Sequence, residues 1–161
     1  MTPQDIHQTL QARCGDAVRD LDVTGFDARV AVDPDRIHTV CGICKNDPDL
    51  DFKSLMCLSG VDAGEDIRVV YHLFSMTKRH RIVLDVRIPK AAPEVPTVSG
   101  VWRVANWFER ECYDLFGVHF EGHPDLRRLL LPEDWEGWPL RKEYVFPNDY
   151  GGVDNRRDYS I

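Results

Sequence analysis

Residues 52–89 read FKSLMCLSGVDAGEDIRVVYHLFSMTKRHRIVLDVRIP, and the fold turns on how this stretch is divided. It holds three apolar-rich runs, 52–62, 67–76 and 80–89, parted by the short polar links AGED and TKR. Runs of this length, rich in Val, Ile, Leu and aromatics and bounded by turn residues, are strand signals, and three in succession predict a meander. Upstream, AVRDLDV (17–23) and FDARVAV (26–32) alternate on either side of Thr24-Gly25, which predicts a two-stranded hairpin.

Helical periods frame these strands. Residues 3–14 place Pro3 in a first turn, Ile6 and Leu10 one turn apart, and Gly15 at the end, which predicts a first helix. In DPDRIHTVCGICKND (33–47), Asp33 is the expected cap and Pro34 the first helical residue, while Ile37, Val40, Cys41 and Cys44 share one face. A third helix is expected from Val101 to Gly117, because Val101, Val104, Ala105, Phe108, Cys112, Leu115 and Phe116 form one stripe. PKAAPEVPTVSG (89–100) reads as a Pro-rich connector. Helix, two strands, helix, three strands and helix, in that order, predict a two-layer α+β domain with the helices on a mixed sheet, spanning residues 1–117.

Residues 118–161 follow neither a period of two nor one of 3.6. They nevertheless contain Leu126, Leu129, Leu130, Leu131, Trp135, Trp138, Tyr144 and Phe146, too apolar for a solvated tail. An irregular arm of this length in a compact protein needs a cover, supplied by its own domain or by a partner. The arm is also acidic: residues 109–161 carry 12 acidic and 7 basic side chains, against 15 and 13 in residues 1–108. With a net charge of −7, a nucleic-acid partner is not expected. No apolar run approaches the roughly 20 residues a transmembrane helix needs, and the first residues match neither a signal nor a transit peptide. Folding in a prokaryotic cytosol is therefore expected. Five cysteines exclude a complete disulfide framework and fit a reducing compartment.

Two motifs invite a chemical reading. Cys41-Gly-Ile-Cys44 has redox or zinc spacing, but it sits mid-helix on the apolar stripe without a second pair, so small buried hydrophobes are expected. ERECYDLFGVHFEGH (109–123) crowds Glu109, Glu111, Cys112, Asp114, His119, Glu121 and His123 together. On a helix, His119 and His123 would make a metal pair, and a stand-alone metal-dependent hydrolase is the rival reading. Gly117, Gly122 and Pro124 oppose a helix, and in extended chain the imidazoles would lie about 13 Å apart. Glu109, Glu111 and Asp114 leave the stripe on other faces, which predicts either a solvated surface or an acidic surface that meets basic groups of a neighbour. No phosphate-binding loop or nucleophile elbow is present, so no active site is expected in this chain. GWPLRKEY (137–144) combines Trp138, Pro139 and Arg141, residue types found at interface anchors.

The run WFERECYDLFGVHFEGHPDLRRLLLPEDWEGWPLRKEYVFP (107–147) resembles the 30-kDa, C-type family of respiratory complex I, the proton-pumping NADH–quinone oxidoreductase. The resemblance rests on Glu109-Arg110-Glu111, Asp114, Phe116-Gly117, Gly122-His123-Pro124, Leu126, Arg128 and Pro139-Leu140-Arg141-Lys142. Glu143 stands where the family more often has Asp. The resemblance implies a structural component of the hydrophilic arm, peripheral on the cytoplasmic face of a bacterial inner membrane. It implies no catalytic, cofactor or metal residue in this chain, with iron–sulfur clusters, FMN and quinone in partner chains. The implied partners are the 49-kDa, D-type chain and the cluster N2-bearing, B-type chain. The implied interface residues are Glu109, Glu111, Asp114, His123, Arg127, Arg128, Trp138, Pro139, Leu140, Arg141 and Lys142. Related chains serve ferredoxin-, deazaflavin- and hydrogenase-linked complexes, so the same role in such a relative is the alternative.

Overall fold

Thr2 opens the first helix, α1 (Pro3–Cys14), with a reciprocal capping box: its hydroxyl accepts the Asp5 N–H while the Asp5 carboxylate accepts the Thr2 N–H. The structure, a computed structural model, describes residues 1–154; residues 155–161, with the Arg156-Arg157 pair, lie outside the described residues. After α1 come β1 (Val18–Asp22) and β2 (Arg29–Val32), paired antiparallel as the hairpin reading requires. Asp33 caps a single 3-10 turn, Pro34–Arg36, through the Asp35 N–H, and that turn runs into α2 (Ile37–Asn46).

The meander is present as β3 (Ser54–Asp62), β4 (Asp66–Ser75) and β5 (His80–Pro89), joined by antiparallel ladders. Strand order in the five-stranded sheet is β1-β2-β5-β4-β3, and the β2–β5 pair is parallel. The sheet is thus mixed, and the two-layer α+β expectation holds. Ile67, Val69, Tyr71 and Leu73 of β4, with Ile82, Leu84, Val86 and Ile88 of β5, all share one buried face. Ile6, Leu10, Val40, Cys41 and Cys44 from α1 and α2 complete that core. Burial of this kind, at roughly 25 cal/mol per Å² of apolar surface, is the main favourable contribution to folding. Cys41 and Cys44 are wholly buried, and desolvation pushes both thiols well above their ordinary range. They behave as small hydrophobes.

Several elements differ from the sequence expectation. The last helix, α3 (Ala105–Phe116), begins four residues after Val101. Val101 and Trp102 are instead drawn into the core by turns on the Val98 carbonyl, and the Trp102 indole N–H donates to the Phe52 carbonyl at 3.2 Å. An apolar stripe reports burial, and a tight turn can bury two residues as well as a helix does. The Pro-rich connector also contains a strand, β6 (Glu94–Pro96), paired parallel with β7 (His119–Glu121). A three-residue strand is too short to display a period, and its partner lies 25 residues downstream. Val118 and Phe120 are buried, so the compact body continues past Gly117. A final short hairpin, β8 (Asp149–Tyr150) and β9 (Val153–Asp154), ends the described chain.

Candidate partner-docking surface

Polar residues on α3 face inward. Glu109 and Asp114 have no exposed surface and Arg110 is 6% exposed, which corrects the expectation of a solvated acidic face for Glu109 and Asp114, while Glu111 is exposed as that expectation has it. Their burial is possible because loops distant in sequence supply the missing partners.

Asp114 lies in the last turn of α3, where a carboxylate opposes the helix dipole. Its Oδ2 accepts the backbone N–H groups of Leu129, Leu130 and Leu131 at 3.0, 2.7 and 2.9 Å. Its Oδ1 meets Arg128 Nη1 at 2.8 Å. Burial alone would raise this carboxyl; the Leu131 N–H, Arg128 and the other two amides outweigh it and hold it below the ordinary range. Arg128 continues the network, donating to the carbonyls of Trp135 (2.7 Å) and Gly137 (3.1 Å) and lying 4.8 Å from the centre of the Trp138 ring. Arg110 donates to the Arg127 and Arg128 carbonyls at 3.3 and 3.0 Å and stacks on Trp107. The arm is therefore tied to the helix that precedes it.

The segment containing Trp138 is tied to the same helix end. Gly117 ends α3 with φ +73° and ψ +29°, and the Trp138 ring lies so close that an added Cβ would stand 2.5 Å from its Cε2. Tyr113 meets the same indole edge-on at 5.3 Å. Pro139 is half-buried and follows directly. Leu140 N–H donates to the Leu115 carbonyl, Arg141 Nε to the Phe116 carbonyl at 2.7 Å, and Lys142 N–H to Asp62 Oδ2 at 2.8 Å. The exposed carbonyls of a helix end thus find donors in the arm. Lys90 bridges Asp62 and Glu143 at 2.7 and 2.9 Å. The Lys90 ammonium, then the Lys142 amide, hold the Asp62 carboxyl well below the usual range. Asp62 and Lys90 were not visible as site residues in the sequence, because their partners lie 80 and 53 positions away. Gly117→Ala is expected to cost about 1–2 kcal/mol from left-handed strain alone and to displace Trp138; urea unfolding and tryptophan emission measure both. Unchanged stability and emission would disprove the close packing.

The two histidines separate. His119 is on the surface, its Nδ1 2.9 Å from Glu94 Oε1 with both side chains 59% exposed. The His123 side chain is wholly buried. Its Nε2–H donates to the Asn106 carbonyl at 3.2 Å and its Nδ1 accepts the Asp125 N–H at 3.0 Å. These partners define a neutral tautomer, and desolvation holds its pKa below the ordinary value. Among the described residues, no group of three or more His, Cys, Asp or Glu side chains is placed to hold a metal ion. Arg127 is exposed and engages Asp125 locally, at 3.0 Å.

Several large apolar side chains nevertheless stay exposed on the arm, among its charged ones. Leu130 (63% exposed), Leu140 (51%), Val145 (84%) and Val153 (68%) present large hydrophobic side chains, and Trp107 on α3 is 58% exposed. Arg127, Lys142 and Glu111 are exposed as well, and exposed apolar side chains with a polar edge are common at protein interfaces.

The family described as respiratory-chain NADH dehydrogenase, 30 Kd subunit, matches residues 30–150. Among similar proteins, the corresponding NADH-quinone oxidoreductase chain of Roseiflexus sp. is 46% identical over 139 residues, covering 84% of this chain and 80% of that protein. Its counterpart in Chloroherpeton thalassium is 39% identical over 150 residues, covering 91% of this chain and 62% of that protein, so the alignment spans under two thirds of the latter's length. Among solved structures, the trypsin-resistant fragment (1–134) of Nqo5 superposes with a TM-score of 0.66 at 29% identity, covering 78% of this chain and 100% of the fragment. A chain of an archaeal membrane-bound sulfane sulfur reductase shares the fold, with a TM-score of 0.74 at 23% identity over 90% of this chain and 86% of that one.

Proposed function

Because the chain belongs to the family of the respiratory-chain NADH dehydrogenase 30 kDa subunit, we propose that it works as a non-catalytic docking component in the hydrophilic part of a complex I-type quinone oxidoreductase. Its arm lies between its own α3 and the neighbouring chains, a 49-kDa-type and a cluster N2-bearing protein. Iron–sulfur clusters, flavin and quinone belong to those and other partners, and this chain holds none. It sits at the cytoplasmic face as a peripheral component; no helix among its described residues is long and apolar enough to cross a membrane. NADH is the electron donor of the whole complex.

The observation that carries the docking role is the two-sidedness of residues 126–145. Asp114 and the carbonyl end of α3 hold the Leu129, Leu130 and Leu131 amides, Arg128 and Arg141, while the Leu130, Leu140 and Val145 side chains stay exposed. A monomer gains nothing from that exposure; a partner surface gains apolar burial there. Glu109, Asp114 and His123 act in this reading as internal supports that shape the arm. Glu111, Arg127 and Lys142 form its polar edge, and Trp138, Pro139, Leu140 and Arg141 form its seat.

Val145→Asp is the sharpest test. The isolated chain should melt within about 0.5 kcal/mol of wild type, as an exposed substitution does. Affinity purification through a tag on this chain should then recover several-fold less quinone-reducing complex from membranes. Wild-type recovery of the intact complex would sink the reading.

A further inference from the structure

Residues 134–150 fold into an aromatic hollow of about 470 Å³, lined by the arm alone. Trp135 and Tyr150 stand 4.9 Å apart, and Tyr144 meets Phe146 edge-on at 5.0 Å. The Tyr144 hydroxyl donates to the Glu136 carbonyl at 3.0 Å and the Tyr150 hydroxyl to Asp134 Oδ1 at 2.8 Å, so the rings are held in place. Asp134, Glu136 and Asp149 stand in the lining, and among the described residues no Lys or Arg does. Arg128, the basic group that reaches the Trp135 and Gly137 carbonyls, is engaged elsewhere by its charge: its guanidinium binds Asp114 and stacks on Trp138. The indole Nε1–H of Trp135 is buried without an acceptor among the described residues, an arrangement that costs free energy until an acceptor arrives.

These observations agree on one kind of occupant. Aromatic faces attract a cation, and three acidic residues in the lining disfavour an anion. We propose that this hollow receives the basic side chain of an extended peptide segment from a partner chain. The proposal rests on the docking reading above and adds to it the chemistry of one contact. A Lys or Arg side chain carries both an apolar stem for the rings and a charge for the rim, which a free metal ion or an apolar side chain lacks.

The test uses the full chain and two short probe peptides, acetylated and amidated: Gly-Arg-Lys-Arg-Gly and Gly-Glu-Gln-Glu-Gly. Indole N–H resonances are followed by NMR, with Trp135→Phe identifying the relevant one among the four tryptophans. The basic peptide should move the Trp135 signal in a saturable manner. The double variant Asp134→Asn, Asp149→Asn should weaken its affinity about tenfold, since each Asn keeps its oxygen acceptor but loses the charge. Raising salt from 50 to 500 mM should weaken it likewise. Equal shifts with the acidic peptide, undiminished affinity in the double variant, or a Trp135 signal that moves only with protein concentration would each overturn the proposal. If peptide binding fails while tagged wild-type chain still recovers the quinone-reducing complex, this contact alone is refuted. If the peptide binds but no complex is recovered, the docking reading falls instead.

Discussion

Asp114→Ala is expected to lower the stability of the chain by about 3–5 kcal/mol, the usual cost of deleting one partner of a buried ion pair. The carboxylate is wholly buried and satisfies Arg128 and three consecutive amides. Its removal leaves the Arg128 guanidinium, 13% exposed, without its counter-ion and the Leu129, Leu130 and Leu131 N–H groups without acceptors. Each orphaned buried donor adds to the loss. Asp114→Asn should fall between, because one amide oxygen still accepts while the charge is gone. Urea denaturation measures the loss, and limited proteolysis of residues 126–137 reports whether the arm has left α3. A change under 1 kcal/mol in Asp114→Ala would remove Asp114 from its place as the anchor of the arm.

The second large effect depends on pH and belongs to Glu109. Burial raises its carboxyl to about 7, against the opposing bonds from Thr97 and the Val98 N–H. Val98 donates to Oε1 at 2.7 Å and the Thr97 hydroxyl faces Oε2. Neutral His123 is 3.8 Å away and His38 contributes its field from α2. A folded-state pKa above the ordinary 4.5 means the native state holds more protons between the two values. Stability from this group is therefore greatest below about 4.5, declines as pH rises to about 7, and is level beyond. The full span is about 3 kcal/mol. His123, kept neutral by burial, contributes the opposite slope below its ordinary value, so the comparison with Glu109→Gln isolates the carboxyl. Glutamine mimics the protonated acid, accepting from Val98 and donating to Thr97. The variant should gain on wild type by about 2 kcal/mol between pH 5 and pH 8. A constant difference across that range would show that Glu109 is ionised throughout.

Sequence by itself determined the three helices, the first five strands and the family resemblance. Alternation marked β1 and β2, apolar runs bounded by turns marked β3 to β5, the apolar stripe and Gly117 marked α3 and its end, and the pattern from Glu109 to Lys142 carried the resemblance. These features are local, because a strand or helix writes its period into adjacent residues. Tertiary structure decided what depends on distant partners. The parallel pairing of β2 with β5, and of β6 with β7, joins segments with no shared local signal. Glu109 and Asp114 carry charges that local reading sends to solvent. They are buried because Thr97-Val98 and residues 128–131 return to them across the fold. A polar side chain's place depends on whether its hydrogen-bond partners come back to it, and only the folded chain brings them there.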